Sequence, residues 1–403
     1  MEILLGWIFF IFSLIFILLI ISINPETKNF LLVAFLLRFI CVLINEYELF
    51  TLPDSRDDAR TFEQAARDFS RIYGYKIISD FFVADSFFIS RILSIFYTTF
   101  GESKMMAQTI SAFLGTMSVY LVFRLTIMIW DHASAIKAAW ATAIFPTLIL
   151  YSSLTLREPY IVFFLLIGLV GIESFFRKNN FFSLVQVVLS FYLLMLFHGG
   201  ATIGGFVFFI YIFFGLIKKQ ILQLINLKIN IFSVIFIFIL IIPIYLLLNQ
   251  NISIPYLPSL FDFNLIRITA NIGLNDFAAY PSWLIINNNF ELIYKSILKF
   301  FYFLYSPFIW EVRSFYHLLG LFDAMIYMMF SFYLIRNWRS ILTNPITRLF
   351  LLILIAYVFV HGLGIGNFGT GIRHRSKFVV ILIILVAPKI HKLMFSANKK
   401  IRY

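Results

Sequence analysis

The sequence predicts an all-α protein: a polytopic bundle of transmembrane helices forming a single integral domain over residues 1–403. Three observations carry that expectation. Apolar residues make up 61% of the chain and charged residues 13%, roughly half the charged share of soluble domains. Apolar runs of about 17–25 residues, the length a helix needs to cross hydrocarbon, recur along the chain. The Lys and Arg residues are spread over short connectors between those runs, as in loops facing an anionic leaflet. In hydrocarbon every backbone N–H and C=O must find a partner within the chain, so the runs are helices and not open strands. The net charge of +12 therefore marks connectors at a membrane surface and not a nucleic-acid partner.

The first run, residues 3–23, is too long for the core of a cleavable signal and lacks a small-residue cleavage site, so it reads as a retained span. The second, 30–50, carries Arg38 at mid-span, where a charge is costly and turns toward a partner or cavity. Further runs follow at 105–130, 135–153, 159–176, 181–198, 200–217, 229–248, 315–335, 346–364 and 376–395, giving about eleven spans. Arg124 lies nearer a span end and snorkels. Two more apolar stretches read as re-entrant or interfacial: 81–99, with Asp85 and Arg91 inside it, and 293–312, broken at Ser306-Pro307. A single crossing by 293–312 would move Arg336 and the C-terminal Lys cluster to the other face. With about eleven spans, Lys28, Lys137, Arg177, Lys178, Lys218, Arg336, Arg339 and Lys389 all fall on one side, which the positive-inside rule makes cytoplasmic. The N-terminus is then outside, and so are the longer connectors 51–104, 249–314 and 364–377 together with the turn 154–158.

The first outer connector holds an amphipathic helix. Ala59, Phe62, Ala65, Ala66, Phe69 and Ile72 recur at helical spacing, opposite Arg60, Glu63, Arg67, Asp68 and Arg71. Just before it stand Asp54, Asp57 and Asp58. Acids there either cap the helix or, by mutual repulsion, raise one carboxyl toward the range of a general base. Arg157-Glu158-Pro159 opens the span at 159 and reads as an interfacial ion pair or as part of a site. The third constellation, Arg373, His374, Arg375 and Lys377, puts cations where positive charge is least expected and suits a phosphate, a diphosphate or a lipid headgroup. His198 ends a span on the same face, as a structural hydrogen bonder or a substrate contact.

Other chemistries lack their residues. The lone Cys41 sits in an apolar run and forms no intrachain disulfide, and no His or Cys spacing fits a metal. The string Gly364-Ile365-Gly366-Asn367-Phe368-Gly369 does not follow a strand, so it fails as a dinucleotide fingerprint. The sequon at Asn251 reads as incidental.

Acids, an Arg-Glu turn and a cationic cluster on one outer face describe an enzyme that draws its donor from a membrane lipid phosphate. The cations would hold the departing phosphate and a carboxylate would deprotonate the acceptor hydroxyl. At these residues the sequence resembles the GT-C glycosyltransferases, membrane enzymes that use polyprenyl-phosphate sugars. Asp58 and Phe62 match the acid and following aromatic of that family's first outer loop, with Asp57 beside them. Tyr151-Ser152-Ser153 leading to Glu158 matches a second acid at an outer turn. Arg373-His374-Arg375 stands where members carry an Arg-aromatic stretch with a proline, although the proline is absent here. Ser306-Pro307-Phe308-Ile309-Trp310 is similar to a late outer-face feature of bacterial relatives.

The resemblance implies sugar transfer without a cofactor or metal, at the periplasmic face of a bacterial inner membrane. Its partners would be a polyprenyl-phosphate-linked glycan donor, a glycan acceptor and the bilayer. Catalysis would fall to Asp58, Asp57, Glu158 and Asp54. Substrate or phosphate would be held by Arg373, His374, Arg375, Lys377, Arg157, Arg38 and His198. The implied pathway is O-antigen or capsular polysaccharide assembly, and repeat-unit polymerases of the Wzy type share the size and outer-loop arginines. The competing class is a lipid-linked oligosaccharide flippase, which would carry its charges in a central cavity and show paired repeats.

Overall fold

The computed structural model describes residues 2–83, 85–225, 241, 271 and 278–390. Among them every named element is helical. Apart from residue 241, the expected span at 229–248 lies outside the described residues, as does the sequon at Asn251. Among the described residues, seven helices are long and apolar enough to cross a membrane, and three shorter apolar helices accompany them. The chain is therefore a multi-pass membrane protein.

The first half is built around α5 (Lys104–Ile129). Its N-cap Ser103 accepts a hydrogen bond from the Met106 amide, fixing where the helix begins. Ala107, Ser111, Ala112 and Gly115 are buried on it, and such small residues let neighbouring backbones approach closely. Packed against α5 are α1 (Glu2–Ile23), α2 (Lys28–Glu46), α6 (His132–Ala143) and α8 (Glu158–Lys178). α8 pairs in turn with α9 (Phe181–Phe197), which leads into α10 (Ile203–Ile225). Most of α1 faces outward: Ile11, Phe12 and Leu19 are exposed, as a surface solvated by lipid tails requires.

One expected span is divided. Residues 135–153 form α6 and a separate short α7 (Pro146–Tyr151), because Phe145 is extended ahead of Pro146. The proline ring excludes helical geometry from the preceding residue. The interrupted stretches are also shorter than a crossing. α4 (Phe88–Phe100) replaces 81–99, and α11 (Asn289–Tyr305) stops at Ser306 ahead of Pro307. At 1.5 Å per residue these reach about 20 and 26 Å. Asp85 and Arg91, which interrupt the first, form an ion pair at 2.5 Å.

The amphipathic helix is present as α3 (Asp58–Tyr73), lying on α4. Arg67 pairs within the helix with Glu63 at 2.9 Å and ties it at 3.4 Å to both Glu2 and Glu102. The second half comprises α12 (Phe315–Arg336), α13 (Trp338–Thr343), α14 (Pro345–Leu363), α15 (Phe368–Ser376) and α16 (Val379–Val386). All eight residues of α16 are buried, which makes it a core helix between α12, α14 and α6.

The bundle has two unlike ends. At one, Lys137 donates to Pro388 O at 3.0 Å and Arg177 to Met128 O at 2.7 Å, and Arg336 and Arg339 share a crevice with Lys389. The other end holds the starts of α3, α5 and α8.

Candidate functional site

The connector before α3 turns tightly: Ser55 N donates to Leu52 O and Ala59 N to Asp54 O. Asp54 takes a left-handed backbone conformation, φ 61°, which Asp tolerates better than most residues. Asp57 occupies the N-cap of α3, yet its side chain makes no capping bond. Asp58 is the first residue of α3, and its carboxylate accepts from Arg373 Nη1. Neither Asp57 nor Asp58 thus caps α3 through a side-chain hydrogen bond.

Glu158 begins α8, with Pro159 tolerated beside it in the first turn, where amides lack intrahelical partners. It is 2% exposed and accepts from Arg373 Nε at 2.8 Å, with Lys377 Nζ at 3.5 Å from the same oxygen. Arg373 joins acids that lie 315 and 215 residues away along the chain. It is itself buried, and its Nη2 finds no partner among the described residues. Burial works against the Arg373 charge, but Glu158 and Asp58 more than offset this and hold its pKa above the ordinary value. Burial pushes the Asp54 carboxyl up to about 6; Arg373 draws it down, while Glu158, Asp57 and Asp58 repel its charge.

Helical geometry divides the cationic string. Arg373 and Lys377 are four residues apart and share a face, whereas Arg375 points the other way. Arg375 is fully buried and bonds Asp323 through Nε at 2.8 Å. It also donates to the carbonyls of Leu304 at 2.9 Å and Ser306 at 2.7 Å, and its guanidinium lies 4.9 Å from the Tyr327 ring centre. The protein takes up these donors, so Arg375 braces α15 against α11 and α12 instead of presenting itself to a phosphate. Arg38 is also separate. It donates to Ala34 O at 2.9 Å and Ala143 O at 3.2 Å, and meets no acid among the described residues. Across from it, Glu158, Tyr151 and Ser152 line the same small cavity.

Arg157 lies over the Phe62 ring, 5.7 Å from its centre, and donates to Phe197 O at 3.4 Å. Phe62 therefore serves as a buried platform between the first loop and the turn before α8. His374 and His198 join a cluster that includes His361 from α14. The ring centres of His198 lie 5.2 Å from His374 and 5.4 Å from His361. His374 Nδ1 is 3.0 Å from His361 Nδ1 and 3.3 Å from Lys377 Nζ. One proton lies between the two Nδ1 atoms, so one imidazole donates and the other accepts. Burial and then the Lys377 charge push the His374 pKa well down, which keeps that imidazole neutral. Among the described residues, no group of three or more His, Cys, Asp or Glu side chains is arranged to hold a metal ion.

The structure thus gathers Asp54, Asp58, Glu158, Arg373 and Lys377, with Arg157 and the histidines alongside. Asp57 stays exposed at the edge. His361 and Asp323 were not singled out from sequence, although an ionisable residue inside an apolar run was a usable signal for both. No protein-family model matches the sequence, and neither a curated protein nor a solved structure does.

Proposed function

We propose that this chain is a membrane glycosyltransferase of the GT-C or Wzy-polymerase kind. It would move a sugar or oligosaccharide from a polyprenyl-(di)phosphate carrier to a glycan acceptor. The setting is the periplasmic face of a bacterial inner membrane, in O-antigen or capsular polysaccharide assembly. The observation that supports this best is Arg373, a buried cation shared by Asp58 from the first loop and Glu158 from α8, with one guanidinium nitrogen left over. Two carboxylates and two cations around one point suit base-assisted displacement of a phosphate.

The acceptor oxygen attacks the anomeric carbon, the bond from that carbon to the carrier phosphate breaks, and the phosphate leaves with the electron pair. Arg373 and Lys377 stabilise the charge that develops on it. Glu158 is too deeply buried to meet an acceptor and positions both cations. Asp58, with half its side chain exposed, is the better placed base, and Asp54 stands beside it. In the resting arrangement Asp58 is bound to Arg373. A donor phosphate that draws Arg373 away frees the carboxylate at the moment the acceptor needs it. The basic end formed by Lys137, Arg177, Arg336 and Lys389 fits the cytoplasmic side, which leaves the carboxylates outside.

The test is Asp58→Asn, assayed for glycan product with the chain's own lipid-linked donor in membranes. Loss of a general base should lower turnover by about 10²–10⁴-fold while folding and donor binding persist. Normal product from a chain in which Asp54, Asp57, Asp58 and Glu158 are all neutralised would end the proposal. Reporter fusions at residues 180 and 370 check the sidedness, and both must report opposite faces.

A further inference from the structure

Beside the carboxylate cluster lies an open crevice of about 380 Å³ that the mechanism does not use. Asn45, Ser55, Arg56, Arg60, Gln108 and Thr155 are among the residues around it, and none of Asp54, Asp58, Glu158 and Arg373 belongs to its lining. Its volume falls within the roughly 300–1,000 Å³ of small-ligand sites. Two features set it apart from a surface groove. Gln108 and Thr155 are each 1% exposed, yet Gln108 Oε1 and Thr155 Oγ1 have no hydrogen-bond partner among the described residues. Leaving such atoms unsatisfied costs about 1–3 kcal/mol each in general, so buried polar atoms facing a cavity mark a place where a ligand bonds. At the rim, Lys104 is engaged with Asn45 O at 3.0 Å and Arg67 with Glu63 at 2.9 Å. Arg56 and Arg60 are exposed and make no ion pair among the described residues. Phe50, 57% exposed, adds an apolar face.

We infer that this crevice binds a sugar unit of the acceptor glycan, and that the unit carries a carboxylate or phosphate. The amide and hydroxyl floor bonds several ring hydroxyls, Phe50 packs on the ring's C–H face, and Arg56 and Arg60 hold the anion by paired donors. Placement supports the acceptor. The crevice shares the connector before α3 with Asp54 and Asp58, and Thr155 lies on the turn that leads to Glu158. A glycan seated there would direct its next sugar toward the carboxylates. The inference rests on the proposed transferase reading, and binding can be measured apart from transfer.

The experiment uses the full chain in phosphatidylcholine nanodiscs. Saturation-transfer NMR compares a disaccharide ending in glucuronate with its glucose-ending analogue. The glucuronate disaccharide should bind the wild-type chain. Gln108→Leu should weaken both sugars by about tenfold or more, the effect of one lost buried hydrogen bond. The Arg56→Ala/Arg60→Ala double variant, altered only at exposed positions, should lose the preference for glucuronate and keep the neutral analogue. Asp58→Asn should bind as wild type does, so failed transfer with retained binding separates the crevice from the catalytic reading. The proposal is overturned if neither sugar binds the wild-type chain, or if glucuronate binding survives unchanged in both crevice variants. It is overturned equally if phosphatidylglycerol in the nanodiscs displaces glucuronate from the wild-type chain, because the crevice is then a lipid headgroup site.

Discussion

Replacing Arg373 by Met tests whether the cluster is held by charge or merely packed around it. In the native chain Glu158 is 2% exposed and depends on Arg373 at 2.8 Å, with Lys377 further away at 3.5 Å. Taking one partner from a buried ion pair leaves the other charged and unsolvated, a loss of roughly 3–5 kcal/mol. Lys377 softens this, so the lower end, about 3 kcal/mol, is expected. Asp58 adds little, since its side chain is 51% exposed and water replaces the lost contact; exposed pairs are worth about 0–1 kcal/mol. Glu158→Leu removes the buried charge from the other side. The double variant Arg373→Met/Glu158→Leu should then be more stable than Arg373→Met alone, with a coupling of about 1–3 kcal/mol. The lone Cys41, partly buried on α2, supplies the assay: its reaction with a fluorogenic maleimide during heating reports loss of the packed bundle. Simple addition of the two single effects in the double variant would refute the account of Glu158 as a buried charge held by Arg373.

Three further outcomes follow from the geometry. Asp54 has its pKa raised to about 6, so if it helps to take the acceptor proton, turnover climbs as pH rises through about 6, and Asp54→Asn removes that limb from the pH–rate profile. The linked stability has the opposite sense: a raised carboxyl favours the protonated fold, so this contribution is whole below the unfolded value of about 3.9 and is lost as pH rises through about 6. Asp54→Asn should accordingly stabilise the chain near pH 8 and not near pH 4, measured by the same thiol assay. At Gly115 on α5, an added methyl would sit 2.6 Å from Ser152 Cβ and 2.8 Å from Arg38 Nε. Gly115→Ala should therefore cost about 1–3 kcal/mol through overpacking between α5 and the turn before α8, with an unchanged melting transition as the refuting result.

The hydrophobic runs announced most helices because a membrane span needs a certain length of apolar chain, and length is read directly. Length alone joins α6 and α7 into one span, because the apolar run continues unbroken through Pro146. The start of α3 was legible from its acids and helical spacing. Their role was not, because a capping acid and an acid bound to a distant arginine look alike in one dimension. Asp54, Asp58, Glu158 and Arg373 stand out in the sequence by their chemistry and by lying in connectors expected on one face. In one dimension the string 373–377 looks like a single clamp. The turn of α15 sends Arg375 to Asp323 and keeps Arg373 and Lys377 for Glu158.

Taken alone, the sequence determined that this protein lives in a membrane, that it is helical, and which connectors carry charge, because those properties depend on composition and local spacing. Only the tertiary structure decided which acid meets which base, that Glu158 is a buried anchor while Asp58 stays half open to solvent, and that His361 joins His198 and His374. The ion pairs of Arg373 are made between residues hundreds of positions apart. They follow from how α3, α8 and α15 converge at one end of the bundle, and no local pattern in the chain encodes that convergence.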